Sequence, residues 1–212
     1  MGSLSILRRP LRYRYYNATI GLIALNVLVF ALTYAVPSVG GYLALIPLYV
    51  VRAGAWWQVF SYMFVHGGFS HILFNMLTLF LFGIQLEQRM GSSEYLILYF
   101  FSGVGAGLLT LAVNWFAGMG RVPVVGASGA IFGLLLAFAA FFPDSTMLLF
   151  GILPMRTPVA VLVFVGLELF FQFTNLQSGV AHLTHLAGAA FAALYLSVRM
   201  GINPFRVFFR RR

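Results

Sequence analysis

The chain contains no cysteine, which removes disulfides, thiolate metal sites and a cysteine nucleophile together. It has no lysine either, so its 13 basic residues are all arginines, and its acids number only four. Charged residues make up 8% of the chain against 61% hydrophobic, whereas a soluble domain is roughly one-quarter charged. Apolar surface in such excess has to face lipid. The net charge of +9 is not a nucleic-acid signature, because most of the arginines gather at the two ends of the chain rather than along one soluble face.

What the chain does have is a series of long uncharged runs. A helix that crosses the hydrocarbon core needs ~20 residues, with about 17 tolerated. Six runs come near that length, at 18–35, 70–86, 95–116, 127–142, 158–173 and 181–198. They predict an all-α membrane protein, with a six-transmembrane-helix core over residues 18–198. A basic segment, 1–17, precedes the core and a basic tail, 199–212, follows it. The stretch 37–69 is interrupted by Pro37, Gly40, Gly41, Pro47 and Gly54. It fits an interfacial, partly embedded loop between helices one and two, anchored at headgroup level by Trp56 and Trp57. The basic start and first apolar run would also suit a signal peptide. The length of that run, and an exit through Pro37 and Ser38 without a small-x-small site, favour an uncleaved helix.

Arginine placement sets the expected orientation. With six spans and a cytoplasmic N-terminus, eleven arginines fall inside and two, Arg52 and Arg121, outside. A five- or seven-span chain would put the arginine-rich C-terminus outside. The expectation is therefore a multi-pass protein of the cell (inner) membrane with both termini cytoplasmic and the tail on anionic headgroups.

Polar side chains within such spans are costly and each is a candidate for function. In this topology Ser128, His71, Asn75 and His185 fall at one depth near the outer face. His71 and Asn75 are four residues apart and share a helix face. A hydroxyl, an imidazole and two more hydrogen-bond donors at one level are the parts of an acyl-transfer site. Helix four is short, ~24 Å against a ~30 Å core, so its serine-bearing end lies in a cavity that admits water. Small residues, Gly126, Gly129, Ala130 and Gly133 on helix four and Gly188 and Ala192 on helix six, allow the close approach that a direct serine–histidine bond needs. Plainer readings stand beside these. A lone membrane serine usually bonds its own helix, Asn75 could be interhelical glue, and His66 suits a loop-holding role. Spacing alone barely separates His182 from His185 as the base, but the small residues immediately after His185 favour it. Glu168 within the fifth run could face the cavity, pair with Gln172 or be protonated in lipid.

At these residues the sequence resembles the rhomboid intramembrane serine proteases. Gly126-Ala127-Ser128-Gly129-Ala130 is similar to the family's G-x-S-G nucleophile segment, and His71-Ile72-Leu73-Phe74-Asn75, preceded by Phe64-Val65-His66-Gly67-Gly68, to its H-x-x-x-N segment. Ala181-His182-Leu183-Thr184-His185-Leu186-Ala187-Gly188 resembles its A-H-x-x-H-x-x-G helix, and Glu87, Arg89 and Gly91 match the close of helix two. The resemblance implies a six-helix fold and a Ser–His dyad that cleaves transmembrane substrates near the outer face. Ser128 would be the nucleophile and His185 the base. His71, Asn75 and the Ser128 N–H would hold the oxyanion, with no metal or cofactor. Helix five and a cap near residues 175–179 would form the substrate gate. Two positions depart from the family. Phe132 stands where many members have a tyrosine stacked on the histidine, and Trp57-Gln58 stands where Trp-Arg is common. Two other classes remain to be separated: a non-proteolytic rhomboid-like chaperone, and a metal or ion transporter lined by His66, His71, His182 and His185.

Overall fold

The computed structural model describes residue 8 and residues 11–149, 152–174 and 182–208. It is mainly helical. Helix α1 (Ala18–Ala35) is followed by three short helices, α2 (Pro37–Leu43), α3 (Pro47–Ala53) and α4 (Gln58–Ser61). The prolines that interrupt a span here open helices instead: Pro37 and Pro47 stand in the first turns of α2 and α3, where a missing N–H costs nothing. Helix α5 (Phe69–Thr78) passes through a π-helical stretch, Leu79–Gly83, into α6 (Ile84–Met90). Then come α7 (Ser92–Phe116), α8 (Ser128–Phe141), α9 (Thr157–Thr174) and α10 (His182–Arg199).

Among the described residues, α1, the continuous helix Phe69–Met90 and α7 are long and apolar enough to cross a bilayer. Helix α8 and the first part of α9 are apolar but shorter. Leu25, Leu28 and Leu32 of α1 are exposed, which suits a lipid-facing surface in an integral membrane protein. Besides the three short helices, a further element has no counterpart among the apolar runs. Strands β1 (Thr146–Leu149) and β2 (Leu153–Arg156) form a small antiparallel hairpin between α8 and α9. Its strands are too short for a clear two-residue alternation, so the sequence carries little signal for it.

The core centres on α8, where Ala130, Ala137 and Ala139 have no exposed surface. Helix α10 lies directly against it. A Cβ built on Gly188 would fall 1.8 Å from the carbonyl oxygen of Gly129, and one built on Gly133 would fall 3.1 Å from the Gly188 oxygen. The two backbones are thus in contact, and only glycine fits at position 188.

Polar ties lock the far end of the bundle. Glu87, fully buried, accepts hydrogen bonds from the backbone N–H groups of Ala18 (2.7 Å) and Thr19 (2.9 Å) and from the Thr19 hydroxyl (2.7 Å). Ser92 donates to the same carboxylate. A carboxylate from α6 therefore caps the positive end of α1. Glu94 of α7 accepts from Tyr195 (2.6 Å) and pairs with Arg199 (3.0 Å), both on α10.

The Gly188 contact leads to a direct expectation. Gly188→Ala should force α8 and α10 apart and lower stability by about 1–3 kcal/mol, the usual cost of an overpacked core. Thermal unfolding in detergent would reveal it, and an unchanged midpoint would mean that the two backbones are not in tight contact.

Candidate active site

Ser128 is the first residue of α8, and the strand-like segment leading into it is held from two sides. Leu45 and Val124 exchange both backbone hydrogen bonds (3.0 and 2.9 Å), and the Gly126 N–H donates to the Tyr62 carbonyl (2.9 Å). Tyr62 is fully buried and its hydroxyl donates to the Gly103 carbonyl of α7 (2.7 Å). The broken stretch after α1 therefore braces the residues that deliver Ser128.

Gly126 adopts φ +118°, and a Cβ there would fall 2.8 Å from His71 Nε2. This glycine supplies both a backbone conformation closed to other residues and the space in which His71 sits. The sequence offered the G-x-S pattern as its signal, but the steric role of Gly126 emerges only from the packing.

His185, in the first turn of α10, places Nε2 2.7 Å from Ser128 Oγ. Thr184 beside it bonds Thr110 of α7 through their hydroxyls (2.8 Å), a tie that fixes the start of α10 and was not evident from the sequence. Phe132 lies one turn after Ser128 on α8. Its ring stacks on the His185 imidazole with centroids 4.6 Å apart and planes within 5°, so the imidazole is held by an apolar face without a hydroxyl.

The third helix of the site is α5. The Gly67 N–H donates to His71 Nδ1 (3.4 Å), so that nitrogen is unprotonated and the ring proton belongs on Nε2. That proton lies on the Gly126 side of the ring. Asn75 follows one turn later, 7% exposed, and its Nδ2 has no hydrogen-bond partner among the described residues. Ser128, His185, His71, Asn75 and Phe132 all line one cavity of about 800 Å³, which Phe164 of α9 also borders.

Two other histidines stand outside this cavity. His182 is buried, with its ring edge-on to His185 at 6.3 Å. His66 lies edge-on to His71 at 5.1 Å, with Nδ1 3.3 Å from the Phe64 carbonyl. Burial, helped by His71 close by, pushes the His66 imidazole down to about 4, so it is neutral at pH 7. Among the described residues no group of three His, Cys, Asp or Glu side chains is placed to hold a metal ion. Gln58, at the position where an arginine is common, bonds the backbone instead. It accepts from the Ile46 N–H (3.0 Å) and donates to the Tyr42 carbonyl (3.2 Å). The Glu168 and Gln172 side chains, and the cap expected at 175–179, lie outside the described residues.

Comparison with known proteins identifies the family. The model of the Rhomboid domain matches residues 53–201. The putative rhomboid protease YdcA of Bacillus subtilis is 33% identical over 144 residues, covering 65% of this chain and 66% of that protein. The rhomboid protease GluP of the same organism is 29% identical over 151 residues, covering 70% of this chain and 28% of the relative. RHOMBOID-like protein 1 of Arabidopsis thaliana is 44% identical over 86 residues, 41% of this chain and 21% of its own length. The chain thus spans from about a fifth to just under two thirds of these relatives. With a family match over most of its length, the chain belongs to the rhomboid family.

Proposed function

We propose that this chain is an intramembrane serine endopeptidase that cuts transmembrane segments of membrane proteins near the outer face. The observation that carries this reading is the 2.7 Å contact between His185 Nε2 and Ser128 Oγ, on the wall of a cavity shared with His71 and Asn75. The names of the bacterial relatives, rhomboid protease GluP and rhomboid protease AarA of Providencia stuartii, support it. The proposed body is a six-span core over residues 18–198 between the basic segments 1–17 and 199–212. Both termini are cytoplasmic in the cell membrane, and the 37–69 segment lies at the outer interface. The arginine distribution supports this placement.

In the proposed mechanism Ser128 Oγ attacks the scissile carbonyl while His185 Nε2 takes its proton. The new Oγ–C bond turns the carbonyl oxygen into an oxyanion. His71 Nε2–H, the Asn75 amide and the Ser128 backbone N–H are the donors available to hold it. The Ser128 N–H belongs to a first helical turn, whose N–H groups lack intrahelical acceptors and whose dipole favours negative charge. His185 then gives its proton to the departing amine, leaving an acyl-enzyme ester. A water deprotonated by His185 hydrolyses that ester and regenerates Ser128. Phe132 keeps the imidazole in plane throughout, and its ring face favours the transient imidazolium. No metal or cofactor enters these steps. Transmembrane proteins are the proposed partners, and anionic headgroups the surface for the arginine tail.

The deciding measurement is cleavage of a model transmembrane substrate in liposomes. Ser128→Ala and His185→Ala should each lose about a thousandfold or more in rate, His182→Ala should retain activity, and EDTA should have no effect. Equal cleavage by wild type and Ser128→Ala would sink the proposal and leave a binding or chaperone role. A rate lost to EDTA would revive the metal reading. A second expectation concerns the oxyanion donors. Gly126→Ala should push His71 aside and lower kcat by about a hundredfold, the scale of one lost oxyanion donor. Unchanged kcat in a folded Gly126→Ala protein would remove His71 from the mechanism.

A further inference from the structure

Helix α7 is long enough to cross a bilayer and stops at Phe116, at the end of the bundle that carries Ser128. The loop 117–127 then returns the chain to α8. Its first half borders a cavity of about 350 Å³ together with Leu48 of α3 and Trp115 of α7, and Arg121 is the one charged residue on that wall. Arg52, in the last turn of α3, holds its guanidinium 5.6 Å from the centre of the Trp115 ring. Two cations thus stand beside one tryptophan where a spanning helix ends, which is headgroup level.

Both guanidinium groups are exposed, and neither has a hydrogen bond or an ion pair among the described residues. The described carboxylates lie elsewhere. Glu87 and Glu94 are engaged at the opposite end of the bundle, and Asp144 follows the far end of α8, 4.0 Å from Arg156. Two like charges without a carboxylate nearby leave a positive potential that attracts an anion and repels a further cation. The surface that leads up to them is apolar. Leu109, Val113 and Phe116 are four and three residues apart, so they share one face of α7, and all are exposed, Phe116 to 88%. An exposed hydrocarbon stripe that ends at unpaired arginines matches an amphiphile, not a free inorganic anion.

We propose that this cavity seats the headgroup of an anionic phospholipid from the leaflet at the Ser128 end. The phosphate accepts hydrogen bonds from Arg121, whose planar fork suits two phosphate oxygens. An acyl chain runs down the stripe of Phe116, Val113 and Leu109. The site selects net negative charge, because the ammonium of a zwitterionic headgroup would meet the charge of Arg52. The same loop continues into Pro123, Val124 and Val125, which border the Ser128 cavity, so a seated headgroup also restrains that wall. The binding does not rest on the proposed protease function.

The test uses the full chain in nanodiscs with photoreactive phosphatidylglycerol or phosphatidylcholine, each carrying a diazirine in one acyl chain. The glycerol probe should label residues 109–122 on the order of tenfold more than the choline probe, the ratio that about one charge-assisted hydrogen bond supplies. The double variant Arg52→Gln/Arg121→Gln should bring the two probes to equal labelling. Gly120→Leu should do the same while keeping both arginines. A Cβ at position 120 meets Trp115 at 3.8 Å and Leu48 at 3.9 Å, ordinary contact distances on the cavity wall. The leucine therefore enters the cavity without breaking the fold, which the unfolding midpoint would verify. Equal labelling of the wild type by both probes would overturn the proposal. A preference that survives in folded Gly120→Leu would overturn it too, because diffuse attraction to the arginines would then suffice. Adding a transmembrane peptide with an Asp- and Glu-rich flank should leave the glycerol-probe labelling unchanged. Its loss on that addition would overturn the lipid assignment and give the patch to an acidic polypeptide. Labelling needs no proteolysis, so these outcomes are independent of whether Ser128 cleaves anything.

Discussion

The contact on which the rest of the structure depends is the one between the backbones of Gly129 and Gly188. Serine and histidine are short side chains, and a 2.7 Å bond between them requires helix axes closer than ordinary side-chain packing allows. In lipid no hydrophobic effect drives helices together, so close van der Waals packing of small surfaces has to do so. A helix α8 nearly without exposed surface provides the fixed element, and the glycine on α10 lets the second backbone settle on it. The Thr110–Thr184 bond then fixes the start of α10, and the stacked Phe132 ring fixes the plane of the imidazole.

A chain with so few charges uses the ones it has at junctions. Glu87 joins α6 to the start of α1, and Glu94 joins α7 to the end of α10. Buried carboxylates of this kind are tolerable only when every lone pair is engaged, and several donors converge on each. These junctions lie at the opposite end of α7 and α10 from Ser128. The site end is instead held by neutral contacts: backbone exchange between Leu45 and Val124, the Tyr62 hydroxyl and the Gln58 amide. Rigidity at one end and a cavity at the other follow from this division. The cavity is bordered by Phe164 of α9, a helix less deeply buried than α8.

Much of the molecule was legible beforehand. The helices α1, α5–α6, α7, α8, α9 and α10 begin and end within a few residues of the apolar runs, because uncharged length is a signal that survives without knowledge of packing. The candidate site residues were legible through their cost: a polar group in an apolar run needs a reason, and Ser128, His71, Asn75 and His185 stood out on that ground. Other features were not legible. The hairpin of β1 and β2 is too short to carry a period, and the three short helices after α1 arise at prolines and glycines that read as breaks. The Glu94–Arg199 pair joins residues 105 apart in the chain, and no local pattern predicts which distant charge an acid will meet.

The sequence by itself determined that this is a membrane protein, which of its residues are polar within apolar runs, and which helix faces are small enough to touch. These are properties of composition and spacing, and lipid enforces them residue by residue. The tertiary structure supplied the physical reason why His185, the histidine the resemblance implied, and not His182 meets Ser128. His182 and His185 are one turn apart on the same helix, and their spacing could not rank them. The packing of α10 against α8 at the Gly188–Gly129 contact turns His185 to the serine and leaves His182 outside the cavity. The tautomer of His71, set by a single backbone N–H from Gly67, was decided in the same way. Both depend on the direction in which a side chain points, and packing between distant segments sets that direction.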